Sequence, residues 1–298
     1  MRILKILIAS TLILLACSLA GCGSQATTPA SEAPKFSPAT YPTVDGSTVT
    51  IPLSEALGAK LMNLPIEEAR QYIVHNKTHQ AYLNLINGSA ALIFVTSPSA
   101  EELQIAKESN VKLELIPIVS EGFIFLVNKD NPVNSLTLKQ IQDIYTGKIT
   151  NWKDVAGTDT IIKAYQRPVN SGSQTGFLDL VMGGLTPVNP PTEQIISEMA
   201  GLIEAVATYK NEPDAIGYSY FYFATDMWGN EKVKLLAVNG VVPSKETIRD
   251  GSYPIRTAYY AAIRSTEAKD SPARQIISWL LTKDGQQLAE EAGYVPIK

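Results

Sequence analysis

Residues Ile161–Met182 read I-I-K-A-Y-Q-R-P-V-N-S-G-S-Q-T-G-F-L-D-L-V-M. The run Ile161 to Tyr165 predicts a strand. A polar loop follows, with Arg167, Ser171, Gly172, Ser173 and Thr175. Phe177, Leu178, Leu180, Val181 and Met182 then predict a helix. Strand, loop and helix in this order form a unit of an α/β protein. Small residues ahead of a helix leave its first N–H groups unpaired, and the helix dipole adds partial positive charge there. An anion can bind at such a place without a lysine cluster. Arg167 can add a planar, two-pronged donor that fits an oxyanion. Serine is also a favoured N-cap of any helix, so the loop reads equally as a plain cap.

The same grammar recurs upstream. Ser47, Thr48 and Thr50 precede Leu53, Leu57, Leu61 and Leu64, which are spaced as a helical stripe. They form a second set of anion donors, or merely a turn and a cap. Thr78 reads as the N-cap of a helix that buries Ala81, Tyr82, Leu85 and Ile86. Ala90–Thr96 is a continuous apolar run, consistent with a buried parallel strand. Thr96 closes it, and the carboxyl ends of strands are where open α/β sheets bind ligands. Ser99 and Glu102 predict a capping box for the next helix. His75 and His79 are four apart, a metal-chelating spacing, but no third ligand accompanies them, and they read as two solvated side chains.

Further strands are expected at Val111–Val119, Gly122–Asn128, Ala215–Phe223, Val233–Val238 and Arg256–Ile263. Further helices are expected around Leu138–Tyr145 and over Ile195–Tyr209, Ala273–Leu281 and Gly285–Ala292. Strands alternating with helices throughout give an α/β architecture. No fixed-period repeat occurs.

The chain has 298 residues and a formal net charge of −4, with no basic run longer than two, so nothing points to a nucleic-acid partner. Arg2 and Lys5 precede an apolar stretch, Ile6–Ala16, that is short for a membrane span. Leu19-Ala20-Gly21-Cys22 resembles a bacterial lipobox. Residues 1–21 are therefore expected to be a lipoprotein signal peptide, and Cys22 the lipidation site. An uncleaved anchor is the alternative. Residues 22–40, rich in Ser, Thr, Ala and Pro, read as a flexible tether. The only other cysteine, Cys17, leaves with the signal, so no disulfide, thiol catalysis or cysteine metal site is expected.

Gly122–Val155 (GFIFLVNKDNPVNSLTLKQIQDIYTGKITNWKDV) resembles the phosphate-binding lipoproteins of bacterial ABC transporters. So do the R-P-V-N-S-G-S-Q-T-G-F loop and Asp214-Ala215-Ile216-Gly217-Tyr218. Asn239-Gly240-Val241 and Gly251-Ser252-Tyr253-Pro254-Ile255 match the family's late segment. The resemblance implies a type II periplasmic-binding fold of two α/β lobes, each a mixed sheet flanked by helices. Lobe I would hold 41–125 and 222–298, and lobe II 126–221. Two hinge crossings would fall near Phe123–Lys129 and Tyr218–Phe223. By residue, Arg167 matches the family's phosphate-pairing arginine, and Ser171, Gly172 and Ser173 its helix-start donors. Thr78 matches a hydroxyl at an early helix start, and Ser47–Thr50 the first-lobe donor loop. Thr96 stands where many members carry an aspartate, which leaves phosphate-over-sulfate selectivity open.

The resemblance implies a lipid-anchored, extracytoplasmic monomer that captures inorganic phosphate and delivers it to an ABC permease, with no cofactor and no metal. Alternatives are a binder of another oxyanion, or a sensor or adhesin on the same fold. A hydrolase is disfavoured, because no Gly-x-Ser-x-Gly elbow and no paired acidic cluster occurs.

Overall fold

The computed structural model describes residues 32–208 and 213–297. The signal peptide, Cys22 and the start of the tether lie outside the described residues. In chain order the strands are β1 (Val44–Gly46), β2 (Leu92–Val95), β3 (Leu113–Asn128), β4 (Ser135–Leu136), β5 (Lys163–Ala164), β6 (Ala215–Tyr220), β7 (Val233–Leu235), β8 (Ala237–Val238), β9 (Arg256–Arg264) and β10 (Val295–Pro296). The α-helices are α1 (Ile51–Met62), α2 (Ile66–Ala69), α3 (Lys77–Asn87), α4 (Ala100–Glu108), α5 (Leu138–Tyr145), α6 (Gly172–Gly176), α7 (Met199–Thr208), α8 (Lys245–Asp250), α9 (Pro272–Leu280) and α10 (Lys283–Glu291).

β3 spans both halves of the structure. Its residues Leu113–Gly122 pair antiparallel with β9, with a register shift between Pro117 and Val119. From Phe123 to Val127 the partner is β6, and Leu126–Asn128 also pair with β7. The sequence predicted two strands here, broken near Ser120-Glu121. One continuous strand forms instead, because β10 pairs with Val119 and Ser120 and because Glu121 is satisfied where it stands. The Glu121 carboxylate accepts from the N–H of Gly122 at 2.7 Å and of Tyr222 at 3.3 Å. Phe123–Val127 are fully buried, as expected of a strand covered on both faces.

β1 and β2 run parallel, but β2 meets β9 antiparallel, so the sheet is mixed rather than parallel. β7 and β8 pair with Leu126–Asn128 and with β4, so residues 233–238 lie beside elements expected in lobe II, although 222–298 was expected in lobe I.

Several boundaries differ from the sequence reading. Ala215–Phe223 does not stay extended: the strand ends at Tyr220, and a π-helical turn covers Phe223–Met227. The long helix expected from Ile195 begins only at Met199, since Gln166 pairs with Ile195 and draws that segment out. Val233–Val238 splits into β7 and β8. Part of the stretch read as a tether packs on the fold. Phe36 donates its N–H to the Leu61 carbonyl at 2.9 Å, and its ring packs edge-on to Tyr41. The capping boxes at Ser99/Glu102 and Thr137/Gln140 form, and α9 and α10 lie where their apolar spacing put them.

Candidate anion-binding site

A cavity of about 550 Å³ opens where the ends of β1, β2 and β6 meet the starts of α3 and α6. Ser47, Thr48, Thr78, Thr96, Arg167, Ser171 and Gly172, all singled out in the sequence, line it. Thr50 does not join them. Its hydroxyl donates to the carbonyls of Phe94 at 2.8 Å and Ser47 at 3.0 Å, so it fixes the Ser47 loop and has no proton left for a ligand. Ser173 is fully buried at the first turn of α6, and its hydroxyl makes no hydrogen bond.

The Arg167 loop is held from beneath. Ser171 caps α6, accepting from the Gln174 N–H at 3.2 Å. The Arg167 N–H donates to Gln174 Oε1 and to the Tyr218 hydroxyl, and Tyr218 donates in turn to Gln174 Oε1. Tyr218 stacks on Phe177 at 4.6 Å, almost parallel. The Tyr220 hydroxyl donates to the Gly172 carbonyl at 2.9 Å. Gln174, Tyr218 and Tyr220 were not picked out from the sequence as site residues. The aromatic alternation of β6 was visible, but the phenols' hydrogen-bond partners lie 44 to 51 residues away.

Arg167 is 9% exposed. Its Nη2 donates to the Ser197 carbonyl at 2.9 Å, while Nε and Nη1 make no hydrogen bond. Burial holds its pKa below the usual guanidinium value, and among the described residues no carboxylate forms a salt bridge with it; the charge of Glu198, paired with Lys77, acts on it only weakly. A buried charge without a partner is costly, and an anion would relieve that cost. The Ser47 and Thr96 hydroxyls are buried as well; Ser47 has no partner, and Thr96 has only the nearby Tyr220 hydroxyl. Gly172 packs against Thr96 and Thr78: a Cβ there would stand 2.5 Å from both Thr78 Oγ1 and Thr96 Oγ1. Only a residue without a side chain lets the backbone come this close.

The entry to α3 corrects two expectations. Its N-cap is Asn76, not Thr78; Asn76 makes no side-chain cap bond, and Lys77 adopts a left-handed φ of 68°. Asp45 imposes this turn, accepting from the Asn76 backbone N–H at 2.9 Å and from Asn84 Nδ2 at 2.7 Å. The first N–H groups of α3 thus lack a side-chain cap at the cavity wall. The histidines are not merely solvated. His75 Nε2 lies 2.7 Å from the buried Ser54 hydroxyl, and burial lowers its pKa. His79 Nδ1 lies 2.9 Å from Glu102, whose carboxyl burial pushes up. Among the described residues no group of three or more His, Cys, Asp or Glu could hold a metal ion.

This arrangement can bind a tetrahedral oxyanion by hydrogen bonds and one fixed charge. Ser54, which lies beside His75, spends its hydroxyl on the Thr50 carbonyl and does not line the cavity.

The sequence matches the model of the PBP superfamily domain over residues 39–284, and the chain belongs to that family. It is similar to the phosphate-binding protein PstS of Bacillus subtilis, with 31% identity over 177 residues, 59% of this chain and 55% of that one. The chain therefore matches about half the length of that relative. PstS of Staphylococcus saprophyticus is 27% identical over 262 residues, 85% of this chain and 79% of its own. Among solved structures, an ABC-type phosphate transport receptor from Vibrio cholerae superposes with a TM-score of 0.64 at 24% identity, covering 85% of this chain and 98% of that one. The fold is thus the expected two-lobed, periplasmic-binding-protein α/β fold.

Proposed function

We propose that this chain is an extracytoplasmic solute-binding protein that captures phosphate in the cleft between its lobes and delivers it to an ABC permease. The observation that carries this reading is Arg167. It is a buried guanidinium with two unpaired donor nitrogens, beside the buried hydroxyls of Ser47 and Thr96. Similarity to PstS proteins supports phosphate as the anion. Binding is by hydrogen bonds, without covalent chemistry or cofactor. The lobes divide where β3 changes partner at Gly122-Phe123 and where β6 ends at Tyr220. Cys22 carries the lipid that ties a monomer to the outer face of the membrane.

Calorimetric titration with phosphate, sulfate, arsenate, tungstate and molybdate tests the reading. One phosphate per chain is expected. Heat from none of the five would sink it, and would favour a sensor or adhesin that keeps the fold. Loss of radiolabelled palmitate in Cys22→Ala tests the anchor.

A further inference from the structure

The cavity is much larger than one tetrahedral anion. Its volume of about 550 Å³ lies in the range, about 300–1,000 Å³, that organic ligands fill. Ser47, Thr96 and Arg167, whose buried polar atoms are short of hydrogen-bond partners, line the cavity together with Gly172, which packs against Thr96. Much of the remaining wall is carbon: Met199 from α7, then Phe223, Met227 and Trp228 from the turn after β6. Trp228 is 45% exposed, although its Nε1 is tied to Glu204 at 3.2 Å. A single exposed apolar side chain is ordinary, but four lining one cavity with a buried cation are a binding wall.

The room is not a gap between banks that have yet to meet. Lys77 Nζ reaches Glu198 at 2.7 Å, and Asn170 donates to Glu101. Gly172 already lies against the threonine hydroxyls of α3 and β2.

The donor set points the same way. Free phosphate near neutral pH keeps a proton on one oxygen, and an enclosed site must accept it. The carboxylate lining the cavity, Glu198, is engaged with Lys77, and position 96 offers a neutral hydroxyl, a weaker acceptor than a carboxylate. In a phosphate monoester the corresponding oxygen carries carbon instead of a proton, so it needs no acceptor.

We propose that the cleft prefers a small organic phosphate with a weakly polar carbon part over the free ion. Its phosphoryl group sits on Arg167, Ser47, Thr96 and Gly172. Its carbon part packs on Met199, Phe223, Met227 and Trp228. The proposal rests on the oxyanion reading above and names the class of ligand.

Calorimetry of the purified protein with phenyl phosphate, glycerol 3-phosphate and inorganic phosphate at pH 7.5 tests it. Phenyl phosphate is expected to bind at least tenfold more tightly than inorganic phosphate and to change Trp228 fluorescence. In Trp228→Ala the ratio of the two affinities should fall to within threefold. Inorganic phosphate binding as tightly as phenyl phosphate, or glycerol 3-phosphate binding more tightly than it, would overturn the proposal and leave the oxyanion reading standing. A ratio unchanged in Trp228→Ala would overturn it as well. Binding of none of the three would remove both readings.

Discussion

Thr96 Oγ1 lies 2.5 Å from the point where a Cβ on Gly172 would stand, and Thr78 Oγ1 is as close to the same point. The hydroxyl of β2 and the first residue of α6 therefore share one small space. Gly172 has no positive φ, so alanine suits its backbone and even favours the helix. Gly172→Ala is nevertheless expected to push the Thr78 and Thr96 hydroxyls aside, lowering the melting temperature by several degrees and weakening phosphate binding at least a hundredfold. Binding that survives the added methyl would place the anion elsewhere.

Arg167 separates the needs of binding from those of stability. Replacing it with methionine removes the buried guanidinium proposed to pair with the anion, and the phosphate Kd should rise at least a hundredfold, about 3 kcal/mol. Without ligand the sign reverses. The guanidinium is buried with Nε and Nη1 unpaired, and an apolar side chain of similar length relieves that cost. Scanning calorimetry of the ligand-free proteins should show Arg167→Met melting no lower than the parent. A drop of several degrees would mean that the arginine is a structural strut.

How far the sequence announced this site depends on the range of each contact. That Arg167, Ser171 and Gly172 line the candidate cavity was legible because the signal is local: an arginine, a cap and a glycine within six residues, whereas Ser173, read with them, does not line it. The capping boxes at Ser99 and Thr137 were legible for the same reason. Thr50 misled because a hydroxyl in a donor loop looks the same whether it faces a ligand or the Phe94 carbonyl, 44 residues on. Thr78 was displaced as N-cap because Asp45, 31 residues upstream, holds Asn76 in place. Ser120-Glu121 looked like a strand break, since nothing nearby shows that Tyr222 will satisfy the carboxylate. Tertiary partners decided each of these points.

Glu121 should leave a mark on the pH dependence of stability. It is fully buried beside the Tyr259 hydroxyl, its Oε1 joins β3 to the segment after β6, and burial pushes its pKa up to about 7. The folded chain thus holds a proton that the unfolded chain releases near the ordinary value of 4.5. Stability from this group is complete below about 4.5 and falls as pH rises to about 7, by about 3 kcal/mol in all. Glu121→Gln carries no charge, and its oxygen can accept from the same two N–H groups. Urea melts between pH 4.5 and 8 should show the glutamine protein gaining on the parent by that amount as pH rises. A constant difference would mean that Glu121 is ionised throughout.

Thr96→Asp tests which proton the site expects. The side chain is 2% exposed and packed where the first turn of α6 meets the cavity. An aspartate there accepts the proton of hydrogen phosphate but faces only lone pairs on sulfate, so repulsion supplies the discrimination. The ratio of phosphate to sulfate affinity should rise at least tenfold. Phosphate binding should also weaken as pH climbs above neutrality, once the shared proton is lost. The preference for phenyl phosphate over inorganic phosphate should narrow, because the carboxylate now rewards the protonated oxygen that an ester lacks. If all three affinities stay in proportion, position 96 does not touch the anion, and the cradle must be rebuilt around Arg167 and Ser47 alone.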